Sequence, residues 1–251
     1  MAAGWRWAIG STPGAARPRR EPVPDTLSPL APAAPPRTTI PVVHAVTTDE
    51  IVARSDFIDI ACGVMGVLGP RGALHLRAGR ATGALLQSLG EALAAAQLVT
   101  GAWLIVNDRV DVALAVRARG AQLTSRSLTM ADARHAARSL ALGASVHSVD
   151  EGMAAERDGA DWLVAGRILA SGPPVSATEG RGFSFVESLI AATSLPVIAI
   201  GGIRPAHCRA LRLAGVHGVA VIRGIWDAPN AERAANDYLS CYENSGGSYG
   251  Q

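Results

Sequence analysis

The chain has 251 residues, 49% of them apolar and 4% aromatic, with a formal net charge of +2. That is enough to bury the core of one domain, and the charge is too balanced for a protein built around nucleic acid. No run of eighteen apolar residues occurs and the first twenty residues lack the pattern of a secretory signal, so no membrane span is expected and a cytoplasmic location is.

Cys62, Cys208 and Cys241 are odd in number and lie outside any CxxC, which suggests neither a disulfide framework nor a zinc site. They read as small apolar residues. Lysine is absent and all 23 basic side chains are arginine. Arginine forms no Schiff base, which excludes lysine-dependent aldolase chemistry.

Residues 1–39, including "STPGAARPRREPVPDTLSPLAPAAPPRTT", show neither helical nor strand periodicity and read as a disordered extension. "RPRREP" has no interleaved aromatics, which argues against a nucleic-acid arm. From residue 40 short apolar runs alternate with Ala/Leu/Arg-rich stretches of helical period. The runs are 41–47, 73–77, 103–108, 120–124, 142–148, 160–166, 196–202 and 218–224, and helical candidates at 82–99, 129–141, 149–159 and 204–215 lie between them. Eight such units over residues 40–243 predict an α/β fold, a (β/α)₈ TIM barrel, because open doubly wound sheets usually stop at five or six strands. Residues 244–251 read as a flexible tail. Ser148 with Glu151 and Thr129 with Asp132 have capping-box spacing, and Gly159 and Gly215 fall at helix C-caps.

A barrel builds its site at the C-terminal strand ends. Those ends supply Arg77, Asn107 with Asp108, Gln122, Ser145 with His147, Gly166 with Arg167, Gly201 with Gly202, and Ile222 with Arg223. Strand alternation puts Ser145 and His147 on one side. His147 precedes a helix N-cap, where the helix dipole disfavours imidazolium and suits proton exchange; the alternative is a histidine that only hydrogen-bonds its loop. Gly201 and Gly202 after the seventh strand, with Ile222 and Arg223 after the eighth, suit a phosphate turn. Arg223 either adds a cation there or points to solvent. The other histidines, His44, His75, His135, His207 and His217, have no metal-ligand spacing, and most read as surface or helix residues.

"IVNDRVDVAL", "SVHSVDEGMAAERDGADWLVAGRIL", "EGRGFSF" and "LPVIAIGGIRPAHCRALRLAGVHGVAVIRGIW" resemble the thiamine phosphate synthase/TenI superfamily over residues 41–239. The resemblance implies a (β/α)₈ barrel of thiamine biosynthesis. The synthase branch joins a pyrimidine pyrophosphate to a thiazole phosphate with a Gln-x-Arg-x-Lys strand end, two aspartates around Mg²⁺ and a Thr-x-Thr-Lys loop. Here "HLRAG" keeps Arg77 but has His75 and Gly79 for Gln and Lys, Ser127 stands for the second aspartate beside Asp108, and the loop "ASGPPVSATEGRG" has no lysine.

"SVHS" and "EGRG" resemble the tautomerase branch. That resemblance implies a thiazole tautomerase that aromatises a carboxythiazole phosphate, with His147 as the acid–base catalyst. Arg77, Asn107, Ser145 and Gly166 would bind the substrate, and Gly201, Gly202, Ile222 and Arg223 its phosphate. No metal or other cofactor is implied, with Mg²⁺ required only on the synthase alternative. The remaining alternative is a non-catalytic protein that binds a thiazole or thiamine phosphate. The partner expected is a small thiazole phosphate, with self-association left open, and the loop after the sixth strand is expected to close over it.

Overall fold

A computed structural model describes residues 39–170 and 180–243. Except for Thr39, the extension assigned to 1–39 lies outside the described residues, as does the tail 244–251. The strands are β1 (Val43–Val46), β2 (Gly72–Leu76), β3 (Trp103–Asn107), β4 (Gly120–Leu123), β5 (Ala141–Val146), β6 (Trp162–Gly166), β7 (Val197–Ile200) and β8 (Gly218–Val221). They are parallel, pair in sequence order and close from β8 to β1. The TIM barrel expected from eight apolar runs is present, each strand shorter than its run except β2, which has the same length one residue earlier.

Strand alternation separates two cores. Val43, Ala45, Leu74, Leu76, Leu104 and Val106 point outward and pack with the helices. Val46, Ala73, Trp103, Ile105, Trp162, Val164, Ile198 and Ala220 fill the lumen. The Trp103 and Trp162 rings meet edge to face, 6.5 Å between centroids at 81°, the arrangement that ring quadrupoles favour.

The large indole of Trp162 fits because its neighbours are small. A Cβ on Gly143 would stand 2.2 Å from Trp162 Cε2 and 2.3 Å from Gln122 Oε1, and one on Gly120 would stand 3.0 Å from Trp162 Cη2. The glycines at these inward positions are therefore space for one side chain.

Helix ends follow the predicted caps. Thr129 Oγ1 accepts from Asp132 N at 3.2 Å, and Ser148 Oγ accepts from Glu151 N at 3.1 Å. The second half of the Ser148 box differs from the expected form: the Glu151 carboxylate reaches the N–H of His147, at 2.6 Å, not that of the cap residue. Gly159 and Gly215 have φ of +98° and +88°, the left-handed turn that ends a helix. Buried Gln97, on the helix Gly83–Thr100, accepts from Leu104 N and Arg119 N and donates to Arg117 O. It thereby ties that helix to the beginnings of β3 and β4.

Gly143→Ala is expected to destabilise the fold by about 3 kcal/mol, since the indole cannot swing away in a filled lumen. Urea unfolding with tryptophan fluorescence measures this, and a loss near zero would mean that the lumen is looser than described.

Candidate active site

A cavity of about 700 Å³ opens at the C-terminal ends of the strands. Among the described residues its wall includes His75, Arg77, Asn107, Gln122, Thr124, Arg126, Ser145, His147, Gly166, Arg167, Arg181 and Gly201. It adjoins a second hollow around Gly201, Gly202, Ile222, Arg223 and Gly224. Of the residues selected at the strand ends, all but Asp108 line one or other of these hollows, from Arg77 round to Arg223.

Glycines shape part of the second hollow. Gly201 and Gly202 have φ of +107° and +66°. A Cβ on Gly202 would stand 2.4 Å from Ala170 O, and one on Gly201 2.9 Å from Arg167 Cβ. Glycine is needed here both for the turn and for the approach of its neighbours. Arg223 begins the four-residue helix Arg223–Trp226 and borders the same hollow, and Ile222 is shared by both cavities.

His147 stands on the rim with its side chain 55% exposed, and its Nδ1 lies 3.4 Å from Glu151 Oε2. A carboxylate in contact, as well as the helix dipole, therefore acts on this ring. Ser145, two residues earlier, is deeper. Gln122 Nε2 donates to Ser145 Oγ at 3.0 Å because the other end of that amide accepts from Trp162 Nε1 at 2.9 Å.

Asp108 follows β3 with φ of +62°, a left-handed turn that Asp tolerates better than most residues. Its Oδ1 accepts from Thr124 Oγ1 at 2.6 Å and also from the Ser127 hydroxyl. Arg77 and Asp108, though both at strand ends, form no ion pair: Asp108 is taken up by the loop after β4, and Arg77 has no acidic partner among the described residues.

The reading of most other histidines as surface or helix residues is corrected for two of them. His44 and His75 are fully buried strand residues in the lumen, and His75 Nδ1 lies 3.2 Å from Asn107 Oδ1. Their inward position follows from alternation with Ala45, Leu74 and Leu76, a signal that sequence reasoning did not apply to these strands. Gln122 and Arg167, named at strand ends without a specific role, line the cavity, and so do Arg126 and Arg181, which sequence reasoning did not select. Cys208 is buried as expected, while Cys62 and Cys241 are partly so. Residues 171–179 lie outside the described residues, and with them most of the loop expected to close.

A family model described as thiamine monophosphate synthase matches residues 45–225. The chain belongs to this family. A thiamine-phosphate synthase of Chlorobium luteolum is 35% identical over 199 residues, 79% of this chain and 92% of that protein. One from Desulfitobacterium hafniense is 38% identical over 145 residues, 57% of this chain and 70% of that protein. The solved thiamine phosphate pyrophosphorylase of Pyrococcus furiosus superposes with a TM-score of 0.73 at 29% identity, covering 84% of this chain and 99% of that one.

These findings correct the tautomerase expectation, because the relatives carry the synthase name and nothing singles out the tautomerase branch. That expectation rested on lysines and an aspartate missing from the synthase motifs and on the likeness of "SVHS" and "EGRG" to the tautomerase branch. Arginines from several loops line the same cavity, and His75 meets Asn107.

Burial lowers His44 to about 4 and holds His75 well below its ordinary value of 6.5, each opposed by a hydrogen-bond partner and reinforced by a neighbouring histidine. Both rings take up protons near 6.5 when unfolded, so below that pH the unfolded chain binds more protons than the fold and stability falls as the pH drops. His44 alone is expected to account for about 3 kcal/mol between pH 6.5 and 4. Urea titrations across that window test this, and a flat profile would contradict the buried neutral pair.

Proposed function

We propose that the protein is a thiamine-phosphate synthase, a transferase that joins a pyrimidine pyrophosphate to a thiazole phosphate. The observation that carries this reading is a cavity with arginines on one side and the Gly201–Gly202 turn on the other, in a chain alignable over nine-tenths of a synthase. Two phosphorylated substrates need two such places.

In the reaction the carbon–oxygen bond to pyrophosphate breaks and both its electrons leave on oxygen, while a new bond forms to the thiazole. Charge grows on the leaving group, and catalysis requires fixed cations facing it. Arg77, Arg126, Arg167 and Arg181 line the cavity with no acidic partner among the described residues. On this reading they hold the pyrophosphate, as guanidinium groups hold phosphate in a bidentate fork. Asn107, Ser145 and Gly166 lie against the organic rings, and Gly201, Gly202, Ile222 and Arg223 take the thiazole phosphate.

The Mg²⁺ that the synthase branch implies has a poor donor set here. Asp108 is the one carboxylate of its loop pair, its Oδ1 already accepts two hydroxyl hydrogens, and Ser127 replaces the second acid. No group of three metal-ligating side chains occurs among the described residues. A metal would have to rest mainly on substrate oxygens, so the reading assigns charge neutralisation to the arginines.

Purified protein supplied with hydroxymethylpyrimidine pyrophosphate and thiazole phosphate is expected to release pyrophosphate and form thiamine phosphate. Absence of product would end the synthase reading. Arg77→Ala or Arg126→Ala is expected to raise KM for the pyrophosphate substrate at least tenfold with less effect on the thiazole phosphate. His147→Gln is expected to slow turnover less than about fivefold, whereas a loss of 100-fold or more, the scale of general acid–base catalysis, would return a proton-transfer role to His147.

A further inference from the structure

Three polar contacts run in line from the N-terminal end of the barrel to the floor of the cavity. His44 Nε2 lies 2.9 Å from Pro41 O, His44 Nδ1 lies 2.8 Å from His75 Nε2, and His75 Nδ1 lies 3.2 Å from the Asn107 side-chain amide. Each contact needs one hydrogen between its two heavy atoms. Two neutral imidazoles bring only two.

Where those two sit is forced from the closed end. The Pro41 carbonyl can only accept, so His44 carries its hydrogen on Nε2 and its Nδ1 accepts. His75 must then donate from Nε2, which leaves His75 Nδ1 as an acceptor facing Asn107. If the amide oxygen of Asn107 faces that nitrogen, two acceptors meet.

There are two ways to supply the third hydrogen. One is a proton that makes the pair cationic. Both rings are buried, at 0% and 1% exposure, and no carboxylate touches either among the described residues, so burial strongly opposes that charge. The other is a half-turn of the Asn107 amide, which exchanges its oxygen and nitrogen at little steric cost and lets the NH₂ donate to His75.

We propose that His44 and His75 are positioning residues that hold the Asn107 amide nitrogen inward and present its carbonyl oxygen to the cavity, where it accepts from an N–H group of the ligand. What this selects in a ligand is an N–H donor at that point of the cavity. Ser145 has the opposite polarity. Its oxygen accepts from Gln122, itself fixed by the Trp162 indole, so its own hydrogen is free for a ligand acceptor. The orientation of Asn107 follows from hydrogen-bond counting alone and does not depend on the synthase reading.

Long-range ¹⁵N–¹H correlation spectra of the labelled full chain at pH 7.5 report ring protonation directly. The expected result is two neutral rings, each with its hydrogen on Nε2. A hydrogen on Nδ1 of His75, or a cationic pair, would overturn the proposal. Asn107→Asp places an acceptor where only a donor fits, and is expected to convert His75 to imidazolium in the same spectrum; a ring that stays neutral would count against the contact.

For the ligand, 4-aminopyrimidine and pyrimidine serve as probes in NMR titrations. The amino compound is expected to bind at least threefold tighter to the wild type and to His75→Gln, whose amide can donate to His44 and accept from Asn107. That preference is expected to vanish in His75→Leu. Equal binding by the wild type, or equal behaviour of the two variants, would refute the positioning role. Failure of the synthase reading would appear separately, as a missing product with these spectra unchanged.

Discussion

The Trp162 indole in the barrel lumen is the constraint on which the rest of the site depends. It occupies space that Gly120 and Gly143 leave open, meets Trp103 edge to face, and donates to Gln122. Through that last bond a packing residue sets the orientation of a polar one. The amide of Gln122 then has one free end, and it falls on Ser145. A lumen filled less tightly would leave both groups free to rotate.

The opposite side of the lumen is organised by buried imidazoles. His44 and His75 are costly to bury in charged form, and their low proton affinity keeps them as neutral hydrogen-bonding groups. A neutral imidazole has one donor and one acceptor, so a chain of two transmits a direction from the Pro41 carbonyl to Asn107. Hydrophobic filling and polar direction thus coexist at the same depth of the barrel, and the cavity floor inherits a defined pattern of donors and acceptors.

The charge chemistry of the rim follows a different rule. The chain has no lysine, so the cations here are arginines, and Asp108 stabilises the turn after β4 through Thr124 and the Ser127 hydroxyl. Guanidinium groups from β2, the loops after β4 and β6, and the start of the helix Gly182–Ala192 surround one cavity. Motif positions judged one at a time suggested lost anion handling. Taken in space, cationic side chains come to one cavity from loops far apart in sequence.

The sequence by itself determined the barrel, its eight strands and the rim on which the site lies. Apolar periodicity and the caps at Thr129 and Ser148 are local properties, and a parallel barrel leaves one face for its loops. Arg77, Asn107, Ser145, His147, Gly166 and the turn residues from Gly201 to Arg223 were legible for that reason, since each ends or follows a strand. Only the tertiary structure decided who touches whom. It turned His44 and His75 from unassigned histidines into a buried pair, gave Asp108 to Thr124 and Ser127, and brought Arg126 and Arg181 to the cavity. These are contacts between residues tens of positions apart, fixed by barrel closure and register, and no local pattern in the chain encodes them.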